Sequence, residues 1–352
     1  MHIKFLPAYN GDAIHIRYIN SDKPINILID GGTKQTYFTK GKKNQIIDGP
    51  LKLLINEIKE AKEKINLLIL THVDDDHIGG ILRWFENDQD ALGLIERVWF
   101  NSGKTIAKEL NKTEVNIPEI QLAPVGTTAT GIDQGVTFEK IIRAGKIWDE
   151  KIIKQGQSLF FEGLTVKILS PSVANLQELH DKWKTEAPGS MTAAATDYKL
   201  SLEHYLANLI SDPDDAPHNG SSIAFIVVYK KKNLLFLADA HIQTIVDGLN
   251  HFEFNQDNPI DAEFVKLSHH GSNRNISEEL LKIINSDEFI ISTNGVRHGH
   301  PDKKGLAKII KLKINPLLKF TYPDRIDDIF TPEDRNFKEF RAVTALDVIN
   351  IE

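Results

Sequence analysis

The sequence predicts an α+β protein in which sheets are layered with helices. Three observations predict it. Short β-branched runs bounded by Gly, Asn, Asp or Pro open the chain and return in its second half. Segments with Ile and Leu at helical spacing alternate with them. The run INLLILTH, residues 65–72, is continuously apolar, as expected of a strand covered on both faces.

Taken in order, HIKFLPA, AIHIRYI and INILIDGG read as strands. QIIDGPLKLLINEIKEAKEK, residues 45–64, has the spacing of an amphipathic helix. After INLLILTH, IGGILRWFEN reads as helix and IERVWFNS as strand. TFEKIIRAG reads as helix, and QSLFFEGLTVKILSPS as a hairpin turning at Glu162-Gly163. Helical pieces follow near NLQELHDKWK and YKLSLEHYLANLI. PVGTTATGIDQG, TEAPGSMTAAATD and SDPDDAPHNGS read as loops. SSIAFIVVYKKKNLLFLADAH is two strands around a lysine-tipped turn. AEFVKLSHHGS is a strand, SEELLKIINS a helix with Ser277 as N-cap, EFIISTNG a strand, and KKGLAKIIKLK a basic helix. No internal repeat or low-complexity tract interrupts this order.

The chain has 352 residues, 41% of them hydrophobic and 26% charged, which is ordinary globular composition with ample length for a core. A net charge of -7 excludes a polycation built to coat nucleic acid. With no cysteine, disulfides and thiolate ligands are excluded, so a metal site must draw on His, Asp or Glu. No apolar stretch approaches the roughly 20 residues needed to span a bilayer. The opening MHIKFLPAYNGDAIHI lacks the pattern of a secretory signal, and we expect a cytoplasmic protein without membrane association.

LLILTHVDDDHIGG, residues 67–80, carries the chemistry. His72, Asp74, Asp76 and His77 follow a buried strand and precede a helix, where the turning chain lets them converge on one point. Asp74, Asp75 and Asp76 would repel one another beside a core unless a cation offset them. An Asp-rich helix start is the plainer reading. Two further strand ends argue against it: Asp239 closes LLFLAD, and His269 and His270 follow VKLS. Convergent imidazoles and carboxylates are what a divalent cation requires.

These motifs resemble the metallo-β-lactamase superfamily. The nearest resemblance is to the branch of the hydrolase domain of the ComEC DNA-uptake channel and its free-standing relatives, which writes its signature HxDxDHxGG, here His72 to Gly80. NGDAIHI with ILIDGG, then ILSPS, NGSSIAFIV, LLFLADA, KLSHHGS and ISTNGVRHGHP, match in order. The resemblance covers about residues 1–100 and 160–310. It implies an αββα sandwich in a single domain over 1–352, with variable insertions at about 104–155 and 172–218. It also implies two divalent ions, zinc or manganese. His72 and Asp74 would hold one, Asp76 and His77 the other; Asp239 would bridge, and His269 or His270 would complete the set. The commoner superfamily signature has His where this chain has Asp74, which makes the site harder and manganese a rival to zinc. His218 and His204 are candidates for a further nitrogen ligand, against a plainer reading as loop or surface residues.

A two-metal site of this kind activates water for hydrolysis. Asp76 would orient the nucleophile and His300 would protonate a leaving alkoxide. His298, His300, Ser272 and Asn219 are the candidate substrate contacts. The lysines at 303, 304, 308, 311 and 313 could track a nucleic-acid backbone, against the plainer reading of a solvated helix face. The leading expectation is a phosphodiester hydrolase acting on DNA or RNA. The alternatives are a small-molecule hydrolase (phosphocholine ester, cyclic nucleotide or acyl ester) and a non-catalytic module that retains the fold. Nothing in the sequence fixes the oligomeric state.

Overall fold

A computed structural model of the protein describes residues 1–112, 131–183, 196–210 and 212–352. Most of the loop expected at 185–197, and residues 124–130 of PVGTTATGIDQG, lie outside the described residues. Among the described residues, fourteen strands build two main sheets. In chain order they are β1 (His2–Phe5), β2 (Ile14–Asn20), β3 (Lys23–Ile29), β4 (Leu67–Ile69), β5 (Val98–Trp99), β6 (Ser158–Phe161), β7 (Leu164–Ser170), β8 (Ala224–Tyr229), β9 (Lys232–Phe236), β10 (Phe264–Lys266), β11 (Glu288–Ile291), β12 (Leu317–Phe320), β13 (Arg341–Thr344) and β14 (Ile349–Asn350). The first sheet runs β14-β1-β2-β3-β4-β5 and the second β13-β12-β11-β10-β9-β8-β7-β6.

The sheets face each other, as side-chain alternation dictates. Ile14, Ile16 and Tyr18 of β2, Ile27 and Ile29 of β3, and Leu67 and Ile69 of β4 meet Phe225 and Val227 of β8 and Leu234 and Phe236 of β9 in one apolar layer. The intervening residues face outward under helices. Leu28, Leu68 and Leu70 pack beneath α1 (Pro50–Glu60), α2 (Asp75–Asn87) and α3 (Gly131–Ala144). Ala224, Ile226, Leu235 and Leu237 pack beneath α4 (Ile242–His251), α5 (Glu278–Ile283) and α6 (Lys303–Leu312). The fold is therefore the α+β sandwich, helices outside and sheets inside, that the sequence predicts.

Several local expectations are met for their stated reasons. Glu162 and Gly163 both have positive φ, 45° and 84°, as a two-residue hairpin turn requires. Lys230 and Lys231, at 49° and 71°, turn the β8–β9 hairpin the same way. Ser277 caps α5 by accepting from the Leu280 amide. The helix expected from residue 45 starts only at Pro50, whose fixed φ suits a first helical turn; Ile46–Asp48 pairs with Phe38–Lys40 as a small hairpin instead. Strands β12, β13 and β14 went unassigned from sequence, and β14 pairs with β1.

β3, β4 and β5 run parallel, as do β9 to β13. Their C-terminal ends share one edge of the sandwich, and the functional residues gather there.

One buried group under α1 has a consequence for stability. His15 of β2 is 5% exposed, and its Nε2 lies 2.9 Å from Asn26 Oδ1. Burial pushes its pKa from the ordinary 6.5 down to about 4. Above pH 6.5 His15 is neutral in both the folded and the unfolded chain. Between 6.5 and 4 only the unfolded chain takes up the proton, so stability falls through that window by up to about 3 kcal/mol. Thermal melts from pH 7 to 4 should show this slope, and His15→Gln should flatten it.

Candidate metal centre

β4 ends at Ile69, and the chain turns through Thr71–Asp74 into α2. His72 is buried, Asp74 is the N-cap position, and Asp76 and His77 lie in the first turn, buried. From the second sheet, β9 delivers Asp239 and β10 delivers His269 and His270. Asp239 lies at the centre. Its carboxylate oxygens are 3.5 Å from His77 Nε2, 3.7 Å from His270 Nε2, and 3.8 Å from both His72 Nε2 and His269 Nε2. His270 Nε2 also lies 3.6 Å from Asp76 Oδ2, and His72 Nε2 lies 3.8 Å from Asp74 Oδ2.

These separations are too long for hydrogen bonds. They match two ligand atoms sharing an ion at about 2.0–2.1 Å from each. The Nε2 atoms of His72, His77 and His270 and Oδ1 of Asp239 are buried without a hydrogen-bond partner. Orphaned polar atoms aimed at one another carry a desolvation penalty that a shared cation removes. The residues present therefore fit divalent-metal binding. His72, His77 and Asp239 form one cluster, and Asp76, His77 and His270 another.

His77 and His269 are steered from behind. Asp30, at the end of β3, accepts from the Thr71 amide and hydroxyl, and its Oδ2 is 2.8 Å from His77 Nδ1. His269 Nδ1 lies 3.2 Å from Asp214 Oδ2, which also accepts from Asn219 at 2.7 Å and Asn275 at 3.1 Å. Carboxylates behind ligating imidazoles fix ring orientation and raise basicity. Asn10 donates to Asp76 Oδ2 at 2.8 Å.

The backbone is bent to make this possible. Asp30, Ala238, His269 and His270 have φ of 55°, 45°, 45° and 54°, all left-handed. Non-glycine residues hold that conformation only where the surroundings impose it, and such residues concentrate at functional sites. Gly11 matters for space rather than for torsion. A Cβ there would stand 1.7 Å from the Asp76 carbonyl oxygen, so only glycine lets the β1–β2 loop press on the site.

The electrostatics point the same way. Burial would raise the Asp76 and Asp239 carboxyls, but the His270 and His77 rings hold both well below the usual carboxylate range. Burial would lower His77 and His270. Instead, Asp239 with Asp30 raises His77, and Asp239 with Asp12 brings His270 to about 9. The carboxylates thus bind positive charge strongly, and ions entering the cluster must displace protons from these rings.

The structure brings together the predicted His72, Asp74, Asp76, His77, Asp239, His269 and His270. Of the adjacent pair, His270 is 2% exposed and reaches both Asp76 and Asp239, whereas His269 stands further out, beside His300 with ring centroids 5.0 Å apart. His298 and His300 are half-buried, with rings 6.1 Å apart. Asn219 is buried and bonded to Asp214, and Ser272 Oγ, also buried, accepts from the Arg274 amide.

Sequence reasoning offered His218 as a candidate for a further nitrogen ligand but preferred a loop or surface reading. It is 8% exposed, and its Nδ1 lies 2.9 Å from Asp74 Oδ1. It lies in the short helix Pro217–Gly220 that leads into β8. Asp12, Asp30 and Asp214 went unassigned because a lone Asp in a turn has no distinguishing pattern. The basic helix α6 also differs from expectation. Lys303 is fully buried against Asp334, and Lys308 is 3% exposed and donates to the carbonyls of Asn273 and Ile276. Lys304 and Lys313 donate to the carbonyls of Ile210 and Ile284, and Lys311 pairs with Glu278. The run holds α6 onto its neighbours.

Residues 19–151 match the family described as the metallo-beta-lactamase superfamily. No curated protein matches the chain. Among solved structures, a HARLDQ-motif mutant of a metallo-β-lactamase from Cronobacter sakazakii (Enterobacter sakazakii) aligns at 12% identity and TM-score 0.30, over 75% of this chain and 74% of that one. A metallo-β-lactamase of the same organism with the HARLDQ motif aligns at 12% and 0.29, over 69% and 64%. Neither alignment is close enough to compare residues. The family match, over residues 19–151, spans His72, Asp74, Asp76 and His77 of the cluster.

Proposed function

We propose that the protein is a metal-dependent hydrolase of phosphodiesters. The observation that carries this is the carboxylate-rich cluster, in which Asp74, Asp76 and Asp239 face His72, His77 and His270. Bound divalent ions supply a water of lowered pKa and stabilise charge on the attacked group. A donor set of three carboxylates and three imidazoles suits zinc or manganese, and ions of that charge suit an anionic substrate group. His72, Asp74, Asp239, Asp76, His77 and His270 would hold two ions. Asp76, fixed by Asn10, would orient the nucleophilic water. His300, 3.4 Å from Asp302 Oδ1 through its Nδ1, would donate a proton to the leaving oxygen. Lys34 and Arg297 both stand 3.9 Å from Asp75 and place positive charge beside the site for a phosphate.

The lysines of α6 bear on substrate size. Lys303 and Lys308 are spent on buried partners and Lys311 on an exposed pair with Glu278, which favours a small phosphodiester, such as a cyclic nucleotide or a phosphocholine ester, over the polymer.

The test is turnover by the purified protein with zinc or manganese. The substrates are a small chromogenic phosphodiester, cyclic nucleotides, and labelled single- and double-stranded DNA and RNA. Cleavage of small diesters ahead of polymers is expected. Hydrolysis of an acyl ester with no phosphodiester turned over under either metal would overturn the reading.

A further inference from the structure

Beneath the cluster lies an ion pair that the proposed reaction does not use. Asp12, from the loop between β1 and β2, is 2% exposed, and Lys266, the last residue of β10, is 1% exposed. Lys266 Nζ donates to Asp12 Oδ2 at 2.7 Å and to the Leu267 carbonyl at 3.0 Å. Ser292, just past β11, donates its hydroxyl to Asp12 Oδ1. His270 Nδ1 faces the pair formed by that oxygen and that hydroxyl, at 3.6 and 3.4 Å. A buried ion pair is weak evidence for stability, since apolar residues of similar volume serve as well or better. Its position between two sheets and behind one imidazole calls for another reason.

We propose that Asp12, balanced by Lys266 and joined by Ser292, is the positioning unit that holds His270 with Nε2 toward Asp76 and Asp239. Ser292 spends its hydroxyl proton on Asp12, so toward His270 Nδ1, at 3.4 Å, its oxygen can only accept, and that ring nitrogen carries the proton. Once a bound ion displaces the proton on the opposite nitrogen, the lone pair of Nε2 points toward the cluster. His270 has a left-handed backbone and follows another left-handed residue, so its backbone alone gives the ring no ordinary support. Asp30 does the corresponding work for His77 from β3, at 2.8 Å. Asp12 reaches the second-sheet histidine from the first sheet, and thereby ties the two sheets together at the site.

The proposal rests on His270 being a metal ligand. The test uses the full chain, zinc alone as the probe, and competition with a chelator. Asp12→Asn removes the charge and turns one of the two accepting oxygens into a donor. The double variant Asp12→Asn with Lys266→Met removes both charges, so no unpaired ion stays buried and folding is protected. Zinc affinity is expected to fall roughly 10–100-fold in both, the usual loss for an outer partner of a ligand. In zinc-loaded native protein with labelled histidines, an exchange-protected Nδ1–H resonance from His270 is expected, and it should vanish in the folded double variant. Native zinc affinity with a retained resonance in the double variant would overturn the positioning role alone. A native protein that binds no zinc or manganese would overturn the ligand reading beneath it.

Discussion

Asp239→Asn is expected to lose bound metal and hydrolytic turnover together, each by more than about 100-fold. Removing even an outer partner of a metal ligand costs roughly 10–100-fold, and Asp239 is central. Its two oxygens face four imidazole nitrogens at 3.5–3.8 Å. The asparagine is nearly isosteric but puts an amide donor where a cation should sit, so packing is preserved while the charge is lost. Asp75→Asn is the matched control. Asp75 belongs to the same acidic run, yet its Oδ1 accepts from Gln134 at 2.7 Å, and it faces Lys34 and Arg297 rather than the cluster. It should keep near-native metal content. Elemental analysis of dialysed protein, beside turnover of a small phosphodiester, checks both. Equal metal loss in the two variants would mean that the cluster is a general acidic patch and no coordination site.

Lys303→Met should be the most destabilising of the lysine substitutions in α6, by about 3–5 kcal/mol. Lys303 and Asp334 are 0% and 1% exposed as side chains and pair directly. Without the ammonium, Asp334 keeps a buried charge supported by the amides of Leu202 and Thr331. Lys311→Met, one helical face away, removes an exposed pair with Glu278 and should cost no more than about 1 kcal/mol. Chemical denaturation of the two variants side by side decides the point. Equal midpoints would mean that α6 is not anchored through Lys303.

Much of this was legible in the sequence, for physical reasons that can be named. The ligand-bearing strand ends were visible because a continuous apolar run followed at once by Asp or His is rare without a purpose. LLFLAD has that form, INLLILTH has it with Thr71 between run and His72, and VKLSHH approaches it with Lys266 and Ser268 interrupting the run. The hairpins at Glu162-Gly163 and Lys230-Lys231 were visible through turn chemistry or strand length. The steering carboxylates were not legible. Asp12, Asp30 and Asp214 act through contacts between chain segments 41 to 258 positions apart, which no local pattern records. The direction of α6 was misjudged for a related reason. Its lysines look like a solvated face by composition, but Lys303 and Lys308 lie on the side that packs inward, where Asp334 and two carbonyls receive them.

The tight turn at Ser268–Gly271 changes how substitutions there should be judged. Three successive residues, His269, His270 and Gly271, have positive φ. Replacing either imidazole by a β-branched side chain would distort the main chain as well as delete a nitrogen. A library covering these two positions will therefore sort variants by backbone tolerance before it sorts them by chemistry. Asparagine, which accepts the left-handed conformation more readily than most residues, is the fairer stand-in for either imidazole.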